Sequence, residues 1–127
     1  MKQVIVIRKD LNMRKGKMIA QGAHASMAVF FNRIYDPMPY DNFIKIHIDS
    51  KELEWIQGIF TKICVSVDSK EALLGVYQKA LDSELPTALI TDNGKTEFNG
   101  IPTETAVAIG PADSKIIDVI TGHLKLL

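Results

Sequence analysis

The chain has 127 residues, 46% of them hydrophobic, and its 15 basic and 15 acidic residues cancel. That suits one domain over residues 1–127 with a core of its own, and excludes a disordered chain or a protein that holds nucleic acid through bulk charge. The single cysteine, Cys64, rules out an internal disulfide or a cysteine-built zinc site, and in the apolar run Ile63-Cys64-Val65 it reads as a buried structural thiol.

Val4-Ile5-Val6-Ile7 is β-branched throughout and too short for a helix, which predicts a strand covered on both faces. Met1-Lys2-Gln3 leads straight into it without the pattern of a secretory leader. The longest apolar stretch, 18–31, is interrupted by Gln21 and His24 and is too short to span a bilayer, so a cytoplasmic protein is expected. A polar connection over 8–16 follows the strand. Arg8, Lys9, Arg14, Lys15 and Lys17 cluster here against the lone acid Asp10, either as a solvated loop or as the footprint of a phosphate-rich partner.

From Lys17 to about Arg33 there is no proline, and Ile19, Ala23, Met27, Phe30, Phe31 and Ile34 recur at helical spacing. The small residues Ala20, Gly22, Ala23, Ala25 and Ser26 suit a helix packed closely on a sheet, with the alanines buried. Asp36-Pro37-Met38-Pro39 is a turn. Asp49 and Glu52 have the spacing of a capping box for a helix to Gln57, ended by Gly58. Lys62 to Val67 is a second strand, and Asp68 with Glu71 caps a helix through about Ser83. Pro86 to Thr91 is a third strand, broken by Asp92-Asn93-Gly94; a fourth, Thr105 to Ile109, is stopped by Gly110-Pro111. A short helix over 113–120 and an apolar tail, Leu124 to Leu127, that docks on the body complete the chain. Strands alternating with helices predict a three-layer α/β/α sandwich around a mixed, mostly parallel four-stranded sheet. In such sheets ligands gather at the carboxyl ends of strands. The basic loop after the first strand and Asp92 after the third then share an edge, provided those strands run the same way.

Lys17, Gln21 and His24 are spaced i, i+4, i+7 and so share a helix face. A lysine in the first turn meets the positive end of the helix dipole, a position an anion in the same site would improve. On its own residues His24 reads equally as structural, and Asp92 as a turn former. Gly94-Lys95-Thr96 lacks the first glycine of a phosphate-binding loop, since Leu89 stands there. No nucleophile elbow, cysteine–histidine pair or metal-ligand spacing occurs, so neither covalent nor metal chemistry has a signature and no cofactor is expected.

The order of segments resembles the type 2 peptidyl-tRNA hydrolases of archaea and eukaryotes. The matching stretches are Val4 to Leu11, Met13 to Lys17, Ala20-Gln21-Gly22-Ala23-His24-Ala25, Asp92 to Thr96, Thr105 through Gly110-Pro111, and Thr121 to Leu126. The chain departs from the family's usual small residue at Asn93 and its glycine at Ala108, and 32–60 shows little likeness. The resemblance implies a metal-independent esterase that cleaves the ester between peptide and tRNA by water attack. Lys17, Asp92 and Thr105 match the family's catalytic residues. Gln21 and His24 would then position the substrate at the scissile ester, and Arg14, Lys15 and Lys95 would serve tRNA phosphates. A homodimer off the membrane is also implied. The competing readings are a non-catalytic tRNA- or protein-binding module on the same fold, and a deacylase of another acyl-tRNA.

Overall fold

The computed structural model describes residues 1–34 and 42–127; the turn expected at Asp36-Pro37-Met38-Pro39 lies outside them. In chain order the elements are β1 (Lys2–Arg8), α1 (Lys15–Phe31), α2 (Ser50–Gln57), β2 (Lys62–Val67), α3 (Lys70–Asp82), β3 (Thr87–Asp92), β4 (Thr103–Ala112), α4 (Ser114–Thr121) and β5 (Lys125–Leu126). Alternation along the central strand β1 makes the layers. Val4 and Val6 point to one face and pack with Val65, Val67, Leu73, Val76 and Ile117, under α3 and α4. Ile5 and Ile7 point to the other and pack with Ala25, Val29, Ala88, Ala106 and Ala108, under α1. Burying each of these larger aliphatic side chains contributes about 1.5–3 kcal/mol, while the three strand alanines let α1 lie close.

The α/β/α sandwich is as expected, but the sheet has five strands in the order β3-β4-β1-β2-β5. Among the described residues only β1 and β2 pair in parallel; the pairings of β1 with β4, β3 with β4 and β2 with β5 are antiparallel. The apolar tail supplies the extra strand, because Lys125 and Leu126 pair with Ser66 and Val65 at the open edge of β2. Since β4 opposes both neighbours, β1 and β3 still run the same way. Their carboxyl ends meet at one edge, as topology predicted.

Three local expectations change. The cap of α3 is Ser69, whose hydroxyl accepts from the Ala72 amide, rather than Asp68; Asp68 lies one residue too early to reach that amide. β4 does not stop at Gly110-Pro111 but continues to Ala112, because a bulge opposite Gln3 absorbs the extra residue. The Gln3 amide there donates to the Gly110 carbonyl, and the Gly110-Pro111 bond is cis. Cys64 is exposed rather than buried. It lines an apolar pocket with Ile5, Leu127 and Ile19 of α1.

The capping box of α2 is present as read: Asp49 accepts from the Glu52 amide at 2.8 Å, and Glu52 accepts from the Asp49 amide at 3.0 Å. Glu52 also receives both arms of Arg33, at 2.6 and 2.9 Å, which ties α2 to the end of α1. That carboxylate raises the Arg33 pKa above its ordinary value.

Candidate active site

Lys17 and Gln21 stand one turn apart on the flank of α1 that faces the end of β3. Asp92 is the last residue of β3 and continues the face that carries Ala88 and Ile90 toward α1. The Lys17 ammonium donates to Asp92 Oδ1 at 2.7 Å and to Thr96 Oγ1 at 2.9 Å. The Gln21 amide donates to the same Asp92 oxygen at 3.3 Å. Asp92 Oδ2 accepts from the Gly94 backbone amide at 2.9 Å. The anion that would reconcile a lysine with the helix N-terminus is therefore Asp92 itself.

The side chains of Lys17 and Asp92 are 14% and 11% exposed, so this is a partly buried ion pair rather than a fully exposed one. The Lys17 hydrogen bond is the chief cause holding the Asp92 carboxyl below its ordinary pKa; burial opposes it, and the Gly94 and Gln21 donors assist. Asp92 is thus an ionised acceptor at neutral pH. An ammonium has three N–H donors, and two are spent on Asp92 and Thr96.

Thr105 is fully buried and donates its hydroxyl to Gln21 Oε1. It reaches α1 because the β3–β4 register shifts there: Ile90 pairs with Ala106, Thr91 with Glu104, and Thr105 falls between. In an unbroken strand it would face α3, the opposite way from Ala106. The bulge turns it back. Thr105, Gln21, Asp92, Lys17 and Thr96 thus form one connected polar chain.

The remaining expected residues are less tightly gathered. His24 is exposed one turn beyond Gln21 and makes no hydrogen bond to the chain just described. Arg14 is 84% exposed and pairs with Glu97 at 3.2 Å, bridging the start of α1 to the loop after β3. Lys95 is exposed on that loop. Lys15 lines the apolar pocket on the other flank of α1 and does not join Lys17. Arg8, counted with the basic loop, is turned inward onto Asp10 and the Glu104 carbonyl. The expectation that the α1 alanines are all buried fails: Ala25 is covered, but Ala20 and Ala23 are exposed, because Gln21, Gly22, Ala25 and Val29 form the stripe against the sheet.

Sequence reasoning missed Thr96 and Phe98, whose ring lies 5.7 Å from the Lys17 ammonium. Gly94-Lys95-Thr96 lies in a stretch that matches the family and supplies Lys95, but its spacing gives Thr96 no role of its own. The turn at Asp92-Asn93-Gly94 was the available signal that the next residues fold back over the strand end.

A family model described as Peptidyl-tRNA hydrolase PTH2 matches residues 1–127. Curated relatives named peptidyl-tRNA hydrolase include that of Methanocaldococcus jannaschii, 43% identical over all of both chains. That of Sulfurisphaera tokodaii is 41% identical over 99% of this chain and 98% of its own. That of Aeropyrum pernix is 38% identical over 98% and 94%. A solved structure of an Agrobacterium protein of unknown function aligns with a TM-score of 0.60 over 99% of this chain and 96% of that one, at 19% identity, a likeness of fold alone. With the family model matching from the first residue to the last, and full-length relatives at these identities, the chain belongs to the PTH2 family of peptidyl-tRNA hydrolases.

Proposed function

We propose that the Lys17–Asp92 cluster is where this enzyme hydrolyses the ester between peptide and tRNA, and that the free third donor of Lys17 is the group that acts on the scissile carbonyl. The observation that supports this most directly is an ammonium and a carboxylate held 2.7 Å apart in a partly buried cleft. Water adds to the ester carbonyl, the carbonyl oxygen takes on negative charge, and the C–O bond to the ribose breaks. One proton of the attacking water passes to the departing ribose oxygen and the other is released to solvent as the new acid ionises, leaving a free peptide carboxylate and tRNA. Lys17 stabilises the oxyanion, and Thr96, which accepts from Lys17, keeps its own O–H to donate beside it. Such preorganised donors are worth several kcal/mol where water is excluded.

A carboxylate with a lowered pKa is a weak base, so Asp92 orients the attacking water and holds Lys17 rather than stripping a proton outright. Thr105 acts through Gln21: it sets which way the amide points, and the amide sets Asp92. Arg14 and Lys95, at the mouth, suit tRNA phosphates, with Lys15 farther round the helix; phosphate contacts supply affinity without sequence information.

A second copy of the chain is the proposed partner besides substrate. The largely apolar pocket beside Ile19, Ala23, Cys64 and Leu127, with Lys15 at its side, supports it, and light scattering tests it. A cytoplasmic location accords with the substrate; no helix among the described residues is long and apolar enough to cross a membrane.

The decisive assay compares N-acetyl-aminoacyl-tRNA with unblocked aminoacyl-tRNA. Cleavage of the blocked substrate, lost in Lys17→Ala, is the expected result. Failure to cleave either one leaves a binding module, and cleavage of the unblocked one alone makes the protein a deacylase.

A further inference from the structure

The Lys17–Asp92 cluster stands at one end of a groove. Along the same flank of α1, Lys17 and Gln21 are followed by His24, Ala28 and Phe31, at spacings that keep all five in line. Across from them β3 offers Ile90, two residues before Asp92 and on the same face of the strand. His24, Met27, Ala28, Phe31, Asn32 and Ile90 enclose an open groove of about 410 Å³ between helix and strand. Met27 and Phe31 are 52% and 47% exposed, large apolar side chains with nothing among the described residues covering them.

We infer that this groove is the subsite for the peptide portion of the substrate, binding the side chains upstream of the esterified residue, with tRNA leaving the site in the opposite direction. The inference rests on the reading of Lys17–Asp92 as the hydrolytic centre. Continuity carries it: Gln21 touches Asp92, and the groove begins one helical turn farther along from Gln21. Charge segregation carries it as well. Arg14, Lys15 and Lys17 stand at the start of α1, and no charged residue follows in the helix through Phe31.

The substrate has the same polarity, a polyanion on one side of the ester and a largely neutral peptide on the other. From Lys17 to Phe31 the helix rises about 21 Å, at 1.5 Å per residue. Extended peptide at roughly 3.3 Å per residue fills that length with about six residues. His24, otherwise without a hydrogen-bond partner among the described residues, stands beside about the third of them and offers a group for the peptide backbone.

The test uses two substrates on the same tRNA with the same esterified glycine, one carrying an N-acetylated run of leucines upstream and the other an N-acetylated run of glycines, each with about six peptide residues in all so that the chain reaches Phe31. For the unaltered enzyme, kcat/KM for the leucine substrate is expected to be higher by about tenfold, the lower end of what one apolar group contributes in a pocket. In the double variant Met27→Glu, Phe31→Glu that ratio falls toward one. Val119→Glu is the control, because Val119 is 83% exposed on α4, across the sheet; it leaves the ratio as it was.

A ratio of one in the unaltered enzyme, a ratio the double variant does not change, or the same fall in Val119→Glu each overturns the subsite while leaving the hydrolytic centre standing. Hydrolysis of neither substrate overturns both.

Discussion

Thr105 donates its hydroxyl to Gln21 from a face of β4 that a regular strand would not give it. One bulge therefore connects the buried core to the edge that carries Asp92, because the Gln21 amide can offer Asp92 its N–H only while its oxygen is turned to Thr105.

Thr105→Val, which keeps the shape and removes the donor, is expected to lower kcat by roughly tenfold, the effect of losing one oriented hydrogen bond of about 1–1.5 kcal/mol. KM should change little, since Thr105 is fully buried and touches no substrate. Thr105→Ser should restore most of the rate. Equal losses in the valine and serine variants would make the contribution one of packing instead. Steady-state kinetics on N-acetyl-aminoacyl-tRNA read all three.

Lys17→Ala separates two ways of using one ammonium. If Lys17 stabilises the oxyanion, kcat at saturating substrate falls by about 10²–10³, the range seen when a single preorganised donor is removed. If it only holds a terminal phosphate, KM rises and kcat is spared. The 2.7 Å contact with Asp92 favours the first outcome, because a lysine spent on phosphate has no need of a buried carboxylate.

Residue spacing made the layers legible and the site half legible. The β-branched run of β1, the Asp49–Glu52 box and the helical spacing of α1 each follow from short-range chemistry, and each is present. Lys17 and Gln21 on one flank followed from the same periodicity, and their meeting with Asp92 from the direction of the strands. What spacing could not supply was set at long range. The reversal of β4 between β1 and β3, the pairing of Lys125–Leu126 on β2, and the exposure of Cys64 all depend on which edges were left open. Thr105 is the sharpest case, since strict alternation turns it away from the residue it bonds. Only a register shift, which has no signature in the residues themselves, turns it back.

The pH dependence of the site follows from Asp92. Its carboxyl is held low chiefly by Lys17, so its pKa in the folded protein lies below that of the unfolded chain. The associated stability is fully present above the ordinary carboxylate range and is lost only as pH falls through the lower, folded value. Asp92 should therefore put no acid limb on kcat/KM near pH 6, and Lys17→Ala should move its titration upward. Carboxyl titration by carbon NMR in both proteins measures the shift; an upward shift in the unaltered protein would contradict the assignment.

Arg14, Lys15 and Lys95 should act through salt. Replacing any one that meets a phosphate with alanine should reduce the slope of log kcat/KM against log salt by a little under one and raise KM. Arg14 must first leave Glu97, so Glu97→Gln is expected to lower KM at low salt. Kinetics across a salt series distinguish a phosphate contact, which changes the slope, from a local structural effect, which lowers every point alike. Lys15, on the flank away from Asp92, should give the smallest change of the three.

Gly94 tests whether the loop after β3 belongs to the catalytic apparatus. Its φ is +82°, and a Cβ there would stand 2.2 Å from the Ile101 carbonyl oxygen, closer than any neighbour can accept. The loop closes on that approach, with the Gly100 amide donating to the Gly94 carbonyl at 2.8 Å. Gly94→Ala must therefore move backbone, and the movement displaces the amide on Asp92 Oδ2 and carries Thr96 away from Lys17. Gly100 has a similar φ of +76° but open space where its Cβ would lie, so Gly100→Ala costs only the left-handed conformation, about 1–2 kcal/mol. Thermal melts and kinetics on the pair should diverge: both variants lose some stability, but only Gly94→Ala loses kcat, by tenfold or more on the order of one lost donor. Equal kcat in the two variants would mean that Thr96 and the Gly94 amide support the fold of the loop and take no part in the reaction.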